Sequence, residues 1–141
     1  MYGKVILPTD GSDCAMKGVK EGLEFAERLG LKAIAVYVIS TSEFESLHHE
    51  SIKGSAKSGL KDKGKKVLEE VEEIAEGRNI DLEKKLLVGK PYKEITAQAD
   101  EDDIIYISTH GLSGFTHLFL GSTTDRVLKH SKATISVVSI K

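Results

Sequence analysis

Between Lys4 and Pro8 the chain reads KVILP, an unbroken apolar run closed by turn residues, which predicts a strand buried on both faces. Apolar residues then recur at Ala15, Val19, Leu23, Ala26 and Leu29. These steps of three and four predict a helix, with Ser12 or Asp13 as its N-cap and Gly30 as its stop. KAIAVYVIS, Lys32 to Ser40, reads as a second buried strand. Thr41 to Ser58 is polar, serine-rich and aperiodic, and the expectation is a mobile loop over about 41–58, with room for a helical start. Leu60, Gly64, Val67, Leu68, Val71, Ile74 and Ala75 mark a long amphipathic helix stopped by Gly77. LEKKLLVG, Leu82 to Gly89, is a third strand, and Pro91 suits the first turn of a helix that turns Tyr92, Ile95 and Ala99 inward. DIIYIS, Asp103 to Ser108, is a fourth strand, Ser122 to Lys129 a short helix, and TISVVSI, Thr134 to Ile140, a fifth strand.

Buried, β-branched strands that alternate with helices predict a parallel sheet covered on both faces. The fold class is α/β, a doubly wound, Rossmann-like sheet of five parallel strands in the order 3-2-1-4-5, formed by one domain over residues 1–141. Ligands in such folds bind beyond the carboxyl ends of the strands, where the strand order reverses. The loops after strands one, two and four are therefore the ones to inspect.

Composition narrows the function classes. Of 141 residues, 40% are hydrophobic and 30% charged, as in ordinary globular domains. The net charge of −2 argues against a general nucleic-acid binder, which carries a basic balance. Cys14 has no second cysteine to pair with, which fits a reducing cytoplasm. The apolar run ending at Pro8 is too short for a signal segment, and no run is long enough to span a membrane. The expectation is a cytoplasmic protein with neither nucleic acid nor membrane as partner.

Several motif fragments fail on context. GLKDKGKK, Gly59 to Lys66, approaches a P-loop but has Lys66 where a hydroxyl must meet Mg²⁺, and it lies inside a helical pattern instead of following a strand. HESIK, His49 to Lys53, begins like a zinc-protease helix but has Lys53 in place of the second histidine, so His48 and His49 read as loop residues. DEDD, Asp100 to Asp103, falls on the amino side of the sheet and reads as a solvated turn. No metal-ligand set is assigned.

The stretch STHGLSGFTHLFLGSTTD, from Ser108 to Asp125, is the strongest candidate. Gly111 lets the chain turn just past strand four, and Gly121 lets backbone come close to a ligand. Ser122 opens a helix, and STTD has the form of a capping box with Asp125 as its acid. A helix N-terminus with free N–H groups attracts anions, and Ser122, Thr123 and Thr124 add hydroxyl donors. Asp10, at the carboxyl end of strand one, is placed for ribose hydroxyls.

VILPTDGS, GKPYKEI, IIYISTHGLSG and LGSTTDRVLKHSKATISVV together resemble the universal stress protein family, over nearly the whole chain. The resemblance implies an adenine-nucleotide-hydrolase-like fold. The nucleotide-binding branch of that family carries G-x-x-G, nine residues, then G-S/T. Gly111, the spacers Leu112 to Leu120, Gly121 and Ser122 match, while Ser108 replaces the first glycine. The resemblance implies that Pro8 and Thr9 lie beside the base and Asp10 meets the ribose. Val38 would offer backbone groups to adenine, with Ile107 packed nearby. Ser122, Thr123 and the backbones of Gly111 and Gly121 would hold the phosphates of ATP, or of ADP or AMP, with Mg²⁺ or Mn²⁺ bound through them. His110 lies in the same loop, near a phosphate or in a structural role. Position 108 ends a strand, so its φ is expected to be negative, and serine there avoids left-handed strain. Its hydroxyl can donate to a phosphate or ribose oxygen.

The resemblance also implies a homodimer through the C-terminal strand, Thr134 to Ile140, which would cover a sheet edge otherwise open to pairing. No general base or nucleophile stands out beside the phosphates. The reading is therefore a regulatory homodimer of the stress response that binds ATP and acts on a protein partner that the sequence does not name. The alternatives are a slow ATP-hydrolysing enzyme and a nucleotide-free interaction module of the same family.

Overall fold

Ten elements follow one another along the chain: β1 (Lys4–Pro8), α1 (Asp13–Leu29), β2 (Lys32–Ser40), α2 (Thr41–Glu45), α3 (Lys53–Ala75), β3 (Leu82–Gly89), α4 (Pro91–Ala97), β4 (Ile104–Ser108), α5 (Ser122–His130) and β5 (Thr134–Val138). They come from a computed structural model that describes residues 1–45, 53–109 and 121–139, with the backbone alone for 53–55. His48, His49, His110, Gly111 and Ile140 lie outside the described residues.

The five strands form one sheet in the order β3-β2-β1-β4-β5, with parallel pairing throughout, as the alternating pattern predicts. Period-two alternation sorts the core into two layers. Val5 and Leu7 of β1 and Ala33, Ala35, Tyr37 and Ile39 of β2 pack with Val19 and Leu23 of α1 and with Val67 and Val71 of α3. On the other face Ile6, Ile34, Val36, Ile105 and Ile107 pack with Ile95 of α4 and Val127 of α5. Right-handed crossovers require this arrangement. Moving from β1 to β3 places α1 and α3 on one face, and reversing toward β5 places α4 and α5 on the other.

Ser12 caps α1, its side chain accepting the Ala15 N–H at 3.2 Å, and Gly30 ends it at φ 68°. Small residues bring α1 close to the sheet. A Cβ on Gly18 would stand 3.4 Å from the Ser108 nitrogen, and one on Gly22 would collide with Leu7 and come within 3.0 Å of the Tyr106 Cβ.

The structure departs from the sequence reading in three places. The polar stretch over 41–58 has the helical start allowed for it, α2, but its end, expected as loop, is the first part of α3, with residues 46–52 outside the described residues. Phe44 explains the difference. It packs against the core, and the Lys57 and Lys61 ammonium groups lie 4.7 and 5.7 Å from its ring centroid. Such tertiary and cation–π contacts hold helix where no apolar period exists.

In the aspartate run, Asp103 is buried, not solvated. It accepts from the Lys4 N–H at 3.0 Å, the Lys4 ammonium at 2.6 Å and the Asp100 N–H at 2.7 Å. Burial pushes its carboxyl pKa up, but these donors outweigh it and the net pKa is lowered.

The capping box is not made. Gly121, not Ser122, is the N-cap of α5, and no side chain caps the helix. Ser122 is thus the first helical residue, Asp125 is one position too far along to reach back, and it pairs with Lys129 at 3.0 Å. Among the described residues no helix is long and apolar enough to cross a membrane.

Candidate functional site

The sheet reverses its strand order between β1 and β4, and their ladder pairs only Val5 with Ile104 and Ile6 with Ile105. Beyond it a cavity of about 330 Å³ opens at the carboxyl ends of the strands. Every described residue of the predicted set lines it: Pro8, Thr9, Asp10, Val38, Ile107, Ser108, Gly121, Ser122, Thr123 and Thr124. The cavity wall also includes Ala15, Val36, Ser40, Glu43, Pro91 and Ile95, which the sequence reading missed. Val36, Val38 and Ser40 share one face of β2 by strand alternation, so the first and last were legible as neighbours of Val38. Pro91 and Ile95 reach the site on the crossover after β3, and only the topology brings them there.

The loop after β1 is held by its own hydrogen bonds. Thr9 Oγ1 accepts the Gly11 N–H at 3.0 Å, and Asp10 Oδ1 accepts the Ser12 N–H at 2.9 Å. Gly11 sits at φ 85°, and a Cβ there would stand 2.8 Å from Val67 Cγ2. The position therefore needs glycine for both backbone and space. These contacts orient the Asp10 carboxylate at the cavity wall.

Across the cavity stands α5. Its first N–H groups have no intrahelical carbonyl to meet, as at every helix start, and no side chain caps them. The Thr124 hydroxyl donates to the Ser108 carbonyl at 2.7 Å in a buried contact. Its one proton is thus committed to tying α5 to β4, which makes it a positioning group as much as a donor to a ligand. Thr109 ties the end of β4 to β5 and to Gly121: its N–H donates to the Val138 carbonyl at 3.1 Å, and its carbonyl accepts the Gly121 N–H at 2.6 Å.

Ser108 is buried within β4, in register with Val138. Among the described residues no non-glycine residue has positive φ. Gly121 has φ −60°, so glycine there frees space and is not needed for the backbone.

The cavity is electrically two-sided. Asp10 and Glu43 stand on the β1–β2 side. Burial first, then the charges of Glu43 and Asp10, push the Tyr37 phenol pKa up. The α5 N-terminus, positive by its aligned peptide dipoles, stands on the other side. Such a site can take a ligand with hydrogen-bond donors at one end and negative charge at the other. Among the described residues no cluster of His, Cys, Asp or Glu could hold a metal ion.

Residues 1–139 match the universal stress protein family. The chain is 31% identical over 140 residues to the universal stress protein MJ0531 of Methanocaldococcus jannaschii, covering 98% of this chain and 82% of that protein. It resembles the structure of the hypothetical protein MJ0577 with a TM-score of 0.80 at 28% identity, over 100% of this chain and 98% of that one. A universal stress protein solved in complex with cAMP has a TM-score of 0.72 at 24% identity, over 99% and 98% of the two chains.

Proposed function

Because the chain belongs to the universal stress protein family, we propose that it binds an adenine nucleotide in the cavity at the β1–β4 switch point. The observation that carries the proposal is the convergence of every described residue of the predicted set on one cavity. Asp10 would take the ribose hydroxyls, the apolar wall of Pro8, Val38 and Ile107 the base, and the α5 N-terminus with Ser122 and Thr123 the phosphates. These residues fit such a ligand: the apolar wall suits the base, the carboxylate the ribose hydroxyls and the uncapped helix start the phosphates. Mg²⁺ or Mn²⁺ would be held by the phosphate oxygens. Universal stress proteins of this fold have been solved in complex with cAMP and with dAMP, at 24% and 15% identity; at those identities they share the fold alone, so the assignment rests on this chain's own residues.

The same reading takes the protein to be a cytoplasmic regulatory homodimer of the stress response, joined through β5 and offering a nucleotide-dependent surface to a protein partner. Calorimetry and thermal unfolding with ATP, ADP and AMP, each with and without Mg²⁺, test it. Heat of binding and a raised melting temperature are expected. Their absence with all three nucleotides would remove the proposal. Phosphate release faster than about 1 s⁻¹, a low value for an enzyme, would replace binding by catalysis.

A further inference from the structure

A second cavity, of about 380 Å³, adjoins the first and shares Ser40, Pro91 and Thr123 with it. The shared residues make the two spaces chambers of one cleft. Their charges differ. Among the described residues the first chamber is lined by the carboxylates Asp10 and Glu43 and by no cationic side chain. The second is lined by Lys90 and Arg126, with Glu45 as its carboxylate. Arg126 lies one helical turn beyond Thr123 on the same face of α5. Its guanidinium carbon sits 5.6 Å from the Tyr92 ring centroid, and Tyr92 in turn packs on His130 with centroids 4.9 Å apart. The guanidinium of this exposed residue thus has a ring partner at the chamber wall. A planar guanidinium matches phosphate oxygens bidentately, and an ammonium adds a point charge beside it.

Resting on the nucleotide reading of the first chamber, we infer that the second chamber receives the outer phosphates of the same ligand, and that Lys90 and Arg126 set a preference for nucleoside triphosphates over monophosphates. Among the described residues the first chamber supplies only helix N–H groups and hydroxyls for negative charge. A phosphate chain that starts at the α5 N-terminus and passes Thr123 meets its first cationic side chains, among the described residues, at Arg126 and Lys90. Glu45 opposes them, so the preference comes from the excess of cations over carboxylate, and it weakens with salt because exposed charges are screened.

Calorimetric titration of the intact protein with ATP and with AMP tests the inference, using the parent, Arg126→Gln, Lys90→Gln and the double variant. Thermal unfolding without ligand checks that each variant is folded. The parent is expected to bind ATP at least about tenfold tighter than AMP, one step of affinity arithmetic. The double variant should bind the two equally, with its AMP affinity within about twofold of the parent's, and the parent's ratio should shrink at high salt. Equal binding of ATP and AMP by the parent, or a ratio that survives in the double variant, overturns the inference and leaves the first site standing. Failure of the parent to bind either nucleotide overturns the nucleotide reading itself, and this inference with it.

Discussion

Ser108 stands where the nucleotide-binding branch of the family has glycine, and a glycine can be needed either for its backbone or for its small size. The backbone need is absent here, since Ser108 is a β4 residue in register with Val138 and has no positive φ. The steric question remains, and the hydroxyl is a donor of the kind a nucleotide accepts. Ser108→Gly is therefore expected to change ATP affinity by less than about threefold, under 1 kcal/mol. Appearance of binding only in the glycine variant would show that the native chain is a nucleotide-free module. At Asp10 the conservative change is informative: Asp10→Asn keeps an oxygen for the Ser12 N–H but removes the charge offered to ribose. Affinity for ATP should fall about tenfold, the scale of one charge-assisted hydrogen bond, with an unchanged melting temperature in the absence of ligand. Asp103 provides the contrast of an acidic residue far from chemistry. Its folded pKa lies below the ordinary 3.8, so its contribution to stability is complete above that value and is lost as the pH falls through the folded pKa. Asp103→Asn should cost about 1–3 kcal/mol at pH 7, as for hydrogen bonds to a charged group, and urea unfolding should show the deficit shrinking below pH 4.

At the scale of elements, α1 and α5 are placed by opposite devices. The helix α1 lies close because Gly18 and Gly22 present no side chain to β1 and β4. Gly22→Ala gains about 1 kcal/mol of helix propensity but drives a methyl into the fully buried Leu7 and to 3.0 Å from the Tyr106 Cβ. Overpacking of this kind costs about 1–3 kcal/mol, so a net loss of stability is expected by denaturant titration, and a stabilised variant would show that α1 can shift. The helix α5 is instead tied by the Thr124 hydroxyl to the Ser108 carbonyl, which aims its N-terminus across the cavity. The valine isostere removes this buried hydrogen bond, at a cost of about 1–3 kcal/mol. Thr124→Val should therefore weaken both stability and nucleotide binding, whereas a change confined to one of them would separate positioning from contact.

For the whole molecule the open question is the β5 edge. The Thr134 N–H donates to Asp103 at 3.2 Å, and the Val138 carbonyl accepts from Thr109. Alternation then turns the backbone groups of Ile135 and Val137 toward the outer edge, and Val137 is also exposed. A row of outward-facing groups on an apolar strand is a template for pairing, which supports the homodimer proposed above. Proline removes an outward N–H without touching the β4 ladder. Val137→Pro is expected to convert a dimer into a folded monomer in sedimentation equilibrium. A parent that sediments as a monomer would remove the dimer from the proposal.

The run KVILP, the steps of three and four from Ala15 to Leu29 and the alternation of strand with helix determined the element order, and the handedness of crossovers left few ways to arrange it. These signals are local: burial on both faces writes itself into consecutive residues, and one buried stripe writes itself into a helix period. Part of the cavity lining was legible for the same reason, since Asp10, Val38 and Ser108 lie at or next to the carboxyl ends of strands that the pattern locates, and Gly121 precedes the helix that follows β4. Other features depend on which elements meet and had no local trace. Phe44 anchors helix in a stretch without a period, Asp103 is buried by an ion pair with a residue at the far end of the chain, and Gly121 displaces Ser122 as the cap of α5. Lys90, Pro91 and Ile95 reach the cleft, and meet Arg126 of α5 there, only because the chain crosses the sheet between β3 and β4. The tertiary structure alone decided these, because a crossover brings together residues that no spacing along the sequence relates.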